Sequence, residues 1–278
     1  MKLHRILYFL TAICLLFLAS CKEELDMTTV QKALFEEASF DEIAIDDAWN
    51  VTILQDAQQS GVTLTYSAFL EPYIKAKKEG TAFELGFTNR LNLPFNTKME
   101  ATIYVKSLKS LNLDDASAAV LEGDFSGETL TLTLDHASVM RGGNYSGDTG
   151  ITLDNASTIV EFNITGNTCH LHLDQVSVFK GKLDASSQLE IEMDNASRMT
   201  LYEGAADHAK VMLDNASSLN MLPLVVTNME IEMENASEAS VSVLEFLKGK
   251  LQNASKLYYQ GIPALDVDCD LTSSCVPL

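Results

Sequence analysis

Positive charge is scarce in this chain. Nineteen lysines and arginines stand against 39 aspartates and glutamates, for a formal charge of −20 over 278 residues. A surface of that balance repels nucleic acid, which excludes nucleic acid as a partner, and repels anionic membrane. Long hydrophobic runs are missing as well. The one extended apolar stretch, Ile6 to Phe17, falls short of the ~20 residues that a spanning helix needs. No EF-hand loop and no glycine-rich calcium nonapeptide is present. Apolar residues are not scarce: at 46% they are ample for a core, which excludes a disordered acidic chain.

Lys2 and Arg5 precede the apolar stretch, and Leu18-Ala19-Ser20-Cys21 follows it. That order resembles a bacterial lipobox. The resemblance implies a signal peptide over 1–20, acylation of Cys21 and a lipidated tether over 21–38, so that the chain meets the membrane through its N-terminal lipid. Lys22-Glu23-Glu24 is similar to the surface-export signal of Bacteroidetes lipoproteins. The expected location is therefore the outer membrane, at the cell surface, with the periplasmic face as the alternative. Loss of the signal leaves 17 basic residues and a charge of −22. Of the remaining cysteines, Cys169 falls where a buried side chain is expected, and Cys269 and Cys275 close a short loop suited to a disulfide in an oxidising compartment.

One phrase recurs eight times: LDDAS (113–117), LDHAS (134–138), LDNAS (153–157), LDQVS (173–177), MDNAS (193–197), LDNAS (213–217), MENAS (233–237) and LQNAS (251–255). The steps between copies are 21, 19, 20, 20, 20, 20 and 18 residues. A fixed period near twenty marks a solenoid in which each repeat is one coil. Ahead of the phrase the sequence alternates, as in Ile151-Thr152-Leu153 and Ile191-Glu192-Met193, the signature of a strand with one face inward. The prediction is an all-β fold: a single-stranded parallel β-helix of about eight 20-residue coils over 111–278. The column Leu113, Leu134, Leu153, Leu173, Met193, Leu213, Met233 and Leu251 would line its core.

The phrase suits a corner, because Asp and Asn bond nearby backbone and Asn tolerates left-handed dihedrals. Its alanine is expected at a tight inner position, with stacked asparagine and serine side chains hydrogen-bonding along the column. The acids Asp114, Asp135, Asp154, Asp174, Asp194, Asp214 and Glu234 would then form a column under ~5 Å apart. Such neighbours need hydrogen bonds, counter-ions or cations. This edge is the candidate cation-binding site, with weak calcium as its candidate ion and no other cofactor expected. His170 and His172 face outward from one strand, and two histidines alone rarely hold a metal. Met193, Met199, Met212 and Met233 read as core filler.

Residues 39–110 carry short alternating strands (43–45, 51–53, 62–66, 83–87, 101–105) and no recognisable copy of the phrase. They are expected to form an irregular β cap or a few degenerate coils over the open edge of the first repeat. Leu70 to Lys78 reads as one or two helical turns, with Lys75, Lys77 and Lys78 as a solvated basic face.

Three segments resemble the GIN-domain family, the auto-transporter adhesin heads typical of Bacteroidetes: Phe40-Asp41-Glu42-Ile43 with Val51-Thr52-Ile53; Val105 to Leu111; and Ala254 to Pro263, with its Tyr259-Gln260-Gly261-Ile262-Pro263 ending. The resemblance covers about 36–270. It implies a right-handed β-helix and a cell-envelope location, and it brings no catalytic residues. Family members commonly carry Gly-Ser-Gly where this chain has Asp/Asn-Ala-Ser. The expected function is a non-catalytic lipoprotein presenting an acidic binding or adhesion surface to a glycan or protein ligand. A structural envelope protein is the alternative. A carbohydrate-active β-helix is less favoured, because an enzyme needs unlike residues converging in a cleft, and here the acids repeat while the coil lengths barely vary.

Overall fold

The computed structural model describes residues 25–278. The expected signal peptide and the lipidation site Cys21 lie outside the described residues. The fold is a parallel β-solenoid, nearly all-β, with a single 3₁₀ turn at Ala68–Leu70. Among the described residues no helix is long and apolar enough to cross a membrane.

The first strands build one end. They are β1 (Thr29–Leu34), β2 (Glu42–Ile45), β3 (Asn50–Gln55), β4 (Gly61–Ser67), β5 (Ile74–Glu79), β6 (Ala82–Phe87), β7 (Met99–Val105), β8 (Ser110–Leu113) and β9 (Ala118–Glu122). The coils continue through β10 (Asp124–Leu134), β11 (Val139–Arg141) and β12 (Asn144–Leu153). Five long bent strands follow: β13 (Thr158–Leu173), β14 (Val178–Met193), β15 (Arg198–Leu213), β16 (Ser218–Met233) and β17 (Glu238–Leu251). The last coil holds β18 (Lys256–Gln260), β19 (Ala264–Cys269) and β20 (Ser274–Pro277). Each long strand runs from one corner to the next and pairs in parallel with the coils on either side.

The leucine column lines the core as its alternation predicts, from Leu113 at 0% exposure to Leu251 at 0%. Each such side chain contributes about 1.5–3 kcal/mol through burial. Inward positions after the corner fall two residues past the serine, at Met140, Ile159, Phe179, Met199, Leu219 and Leu257. Cys169 sits in the core, and burial pushes its thiol pKa well up. Met193, Met199 and Met233 are core residues, whereas Met212 is half-buried on the outer face.

The amino-terminal end combines coils with a cap. Ile45-Asp46-Asp47-Ala48-Trp49 is a further copy of the corner, in register with Leu113 onward. Its tryptophan, 0% exposed, stands where the other coils carry serine. The coil made by β6 and β7 packs on one side of β2 and β3, and the coil made by β8 and β9 packs on the other. Spatial order and chain order therefore differ here. Antiparallel strands then close the end: β5 on β6, β4 on β7 and β1 on β4.

Two expectations are corrected. The segment 21–38 holds β1, so part of the expected tether is built into the sheet. Most of Leu70–Lys78 is strand, because Ile74 and Ala76 alternate inward while Lys75 and Lys77 reach Glu84 and Glu79 on the outside.

Candidate functional site

The phrase makes a tight turn with two consecutive left-handed residues, such as Asn155 (φ 48°) and Ala156 (φ 65°). The turn closes with a bond from the Ser157 amide to the Asp154 carbonyl at 3.1 Å. This is a type I′ geometry, which Asn and Asp tolerate best. Alanine in the second left-handed position is costly by ~1–2 kcal/mol. An inter-coil bond offsets that cost, since the Ala156 amide donates to the Gln175 carbonyl at 2.9 Å. The same bond recurs at Ala116, Ala137, Val176, Ala196, Ala216 and Ala236.

Burial reverses the expectation for alanine. The alanines lie on the outer side of the turn, Ala196 half-buried and the others exposed, and the serines are inside. Ser117, Ser138, Ser157, Ser177, Ser197, Ser217, Ser237 and Ser255 are at most 1% exposed. The reason is geometric: two left-handed residues swing the fourth turn residue back into the interior. Ser237 and Ser255 donate to the carbonyl three residues back, at 2.7 and 2.8 Å. Six other hydroxyls, from Ser117 to Ser217, have no partner.

The acids form the outer edge of the corner, half-buried from Asp114 to Asp214 and exposed at Glu234. An amide ladder holds them. Asp174 Oδ1 accepts the Gln175 amide at 2.6 Å and Asn195 Nδ2 of the next coil at 2.7 Å. Asp194 Oδ1 likewise accepts the Asn195 amide and Asn215 Nδ2, and Asp214 Oδ1 accepts the Asn215 amide and Asn235 Nδ2, all at 2.6–2.7 Å. Asp135 takes the same pair from His136 and Asn155. Asp154 keeps only its own turn amide, from Asn155. Past Glu234 the ladder continues between asparagines, with Asn253 Nδ2 on Asn235 Oδ1 at 3.0 Å. These hydrogen bonds offset part of the repulsion between the stacked carboxylates.

At the amino-terminal end the amide donor is absent, because Asp47 and Asp115 occupy the asparagine position. Ligand atoms of Asp46, Asp47 and Asp115 lie within 4.8 Å of one another, as do those of Asp114, Asp115 and His136. Burial, then the charges of Asp47, Asp115 and Asp114, push the Asp46 pKa up. His136 replaces asparagine in the ladder, with Nδ1 at 2.7 Å from Asp114 Oδ1. That contact, then the charge of Asp135, raises its pKa.

Beside the acid edge lies a flat face whose pattern the phrase alignment overlooked. Outward residues of successive coils are His170 and His172, Glu190 and Glu192, Lys210 and Met212, Glu230 and Glu232, Lys248 and Lys250, and Asp266 and Asp268, each row in register with the next. Rows of carboxylates alternate with rows of histidine or lysine. His170 meets Glu190 at 2.9 Å, His172 meets Glu192 at 3.3 Å, and Lys248 meets Glu230 at 2.6 Å. That last contact raises the Lys248 pKa and lowers that of Glu230. The segments HLHL, EIEM, KVML, EIEM, KGKL and DVDC carried the signal. A shallow groove of about 280 Å³, floored by Met212 between Glu192 and Glu232, joins this face to Asp194 and Asp214.

Cys269-Asp270-Leu271-Thr272-Ser273 forms the last corner, with Cys269 and Cys275 in register with Leu251 and Leu257. Both are free thiols, half-buried on the two sides of the turn. Burial, then the charge of Cys269, pushes Cys275 up to about 11. The turn is held by Asp270, which accepts the Asn253 amide at 2.7 Å and the Ser273 amide at 2.8 Å; the Asn253 amide first, then the Ser273 side chain and Thr272, hold its pKa well below the usual range.

The fold and site define a class: an acidic parallel β-solenoid whose corners present one repeated carboxylate. Residues 39–263 match the family described as "Putative auto-transporter adhesin, head GIN domain", and the chain belongs to it. The fold is similar to a "putative adhesin" from Parabacteroides merdae (13% identity, TM-score 0.66, covering 90% of this chain and 95% of that one). It is likewise similar to a "putative adhesin" from Parabacteroides distasonis (14%, 0.68, 91% and 97%). A "putative lipid binding protein" from the same species is comparable (14%, 0.66, 90% and 96%). No curated protein matches the chain. Family membership supports an adhesion-type role at the cell envelope.

Proposed function

We propose that this chain is a non-catalytic adhesin, lipidated at Cys21, anchored in the outer membrane and displayed at the cell surface, which binds a glycan or protein ligand along its acid edge. The carrying observation is the amide ladder. It fixes carboxylates at one pitch and engages Oδ1 of Asp135, Asp154, Asp174, Asp194 and Asp214. Apart from Asp135 Oδ2, which lies 3.4 Å from His136 Nδ1, the opposite oxygens are left to meet hydroxyls, basic groups or weakly held calcium. Repetition argues against catalysis, because most coils offer the same group in a similar setting, whereas an enzyme gathers unlike groups in a cleft.

The test pairs location with binding. Protease added to intact cells should remove the protein, and the protein should bind a glycan or basic-peptide array. The combined variant Asp154→Asn, Asp194→Asn, Asp214→Asn should lose that binding while keeping its fold. Binding that survives the triple variant moves the site off the edge, and protection from protease in intact cells removes the surface assignment.

A further inference from the structure

The alternating face carries ionisable side chains in six successive rows, from His170 and His172 to Asp266 and Asp268. Reversing the order of this even series places each lysine row on a glutamate row and the histidine row on Asp266 and Asp268. We propose that this face recognises itself: two copies pack it face to face and antiparallel, about a two-fold axis lying along the strands between the Lys210 and Glu230 rows.

The pairing follows directly. Lys210 faces the partner's Glu230, Glu190 and Glu192 face the partner's Lys248 and Lys250, and His170 and His172 face the partner's Asp266 and Asp268. Each contact occurs twice, as a closed two-fold interface requires. A parallel two-fold pair would set like rows on like, which is repulsive. A parallel pair offset by one coil would alternate too, but it leaves a row unmatched at each end and does not close. Met212, half-buried beside the axis, faces the partner's Glu232, so the central rows hold one ion pair and one unpaired carboxylate per copy, which keeps the contact weak. Within one copy the same alternation already joins neighbouring coils, as at Lys248 and Glu230. The face is therefore rigid before contact, and each pair adds little alone.

Six rows span about 24 Å, so the contact covers a few hundred Å² per copy, below the ~800 Å² of stable complexes. The dimer is weak and salt-sensitive. One consequence rests on the anchored reading above: antiparallel packing puts the amino-terminal caps at opposite ends, so copies on two facing surfaces pair across the gap. The dimer itself needs no membrane, so the two ideas fail separately.

The test uses the full chain in mild detergent at low salt. Carbodiimide treatment of mixed isotopically light and heavy protein should give mixed-isotope links from Lys248 or Lys250 to Glu190 or Glu192, absent in high salt. The pair K248E/K250E should associate about tenfold or more weakly in sedimentation, as should E190K/E192K, and mixing the two variants should restore association. Should a reversal variant lose its circular dichroism spectrum, K248Q/K250Q replaces it and the wild-type links decide. Wild-type protein that stays monomeric at low salt, links confined within single chains, or a mixture no better than its parts overturns the proposal.

Discussion

Asn195 Nδ2 donates to Asp174 Oδ1 at 2.7 Å, across the gap between two coils. The bond ties an uncharged residue of one turn to the charged residue of the turn before it, and its repetition is what allows a carboxylate in each coil. Asn195→Ala should cost about 1 kcal/mol, the net worth of one such bond. Asn195→Asp should cost more, because it sets a second carboxylate against Asp174, and its stability should recover as falling pH protonates one of the pair. Urea denaturation of both variants at neutral and mildly acidic pH measures the difference. Equal losses for the two, at both pH values, would show that the column carries no appreciable repulsion.

The serine column makes a contrasting prediction. The Ser197 hydroxyl is buried without a partner, whereas that of Ser237 donates to the Glu234 carbonyl at 2.7 Å. Ser197→Ala removes a polar group that gains nothing inside, so it should be nearly neutral. Ser237→Ala should cost about 1 kcal/mol. Paired denaturation curves read the gap directly. If both substitutions cost the same, the interior hydroxyls are equally bonded in solution.

The coil and its core were legible because the period and the alternation are both local signals. The residues that escaped are those where local identity is altered by a constraint from elsewhere. The corner at 45–49 was hidden because Trp49 replaces the serine, which the cap requires as a plug, and because the chain leaves to build β4 through β7 before β8 resumes the stack. The corner at 269–273 was hidden because Leu271 and Thr272 do not take the left-handed conformation that marks the others. Alanine was expected inside and lies outside because small size alone does not say which turn residue points inward. The alternating face was missed because its pattern runs across coils, at a separation that alternation within a strand does not show.

Val176 occupies the alanine position in the left-handed region, with φ 70° and half of its surface exposed. A β-branched residue is strained there, and little burial compensates. Val176→Ala should stabilise the protein by about 0.5–1 kcal/mol. The urea midpoint should rise with an unchanged slope. An unchanged or lower midpoint would mean that the side chain makes favourable contacts outweighing its backbone strain.

His136 gives the acid edge a pH dependence that its asparagine counterparts lack. Its folded pKa is raised, first by the bond to Asp114 and then by Asp135. A raised folded pKa means that the protonated form is favoured in the native state. The stabilisation is therefore fully present below the unfolded value of about 6.5 and is lost as pH rises through the folded pKa. His136→Asn restores the neutral donor found at Asn155, Asn195 and Asn215. It should flatten this part of the stability profile while keeping the bond to Asp114. Denaturation midpoints of the two proteins, followed from mildly acidic to mildly alkaline pH, should diverge across that window, with wild type losing stability as pH rises relative to the variant. Parallel curves would show that the imidazole is not charged against Asp114 in the folded protein.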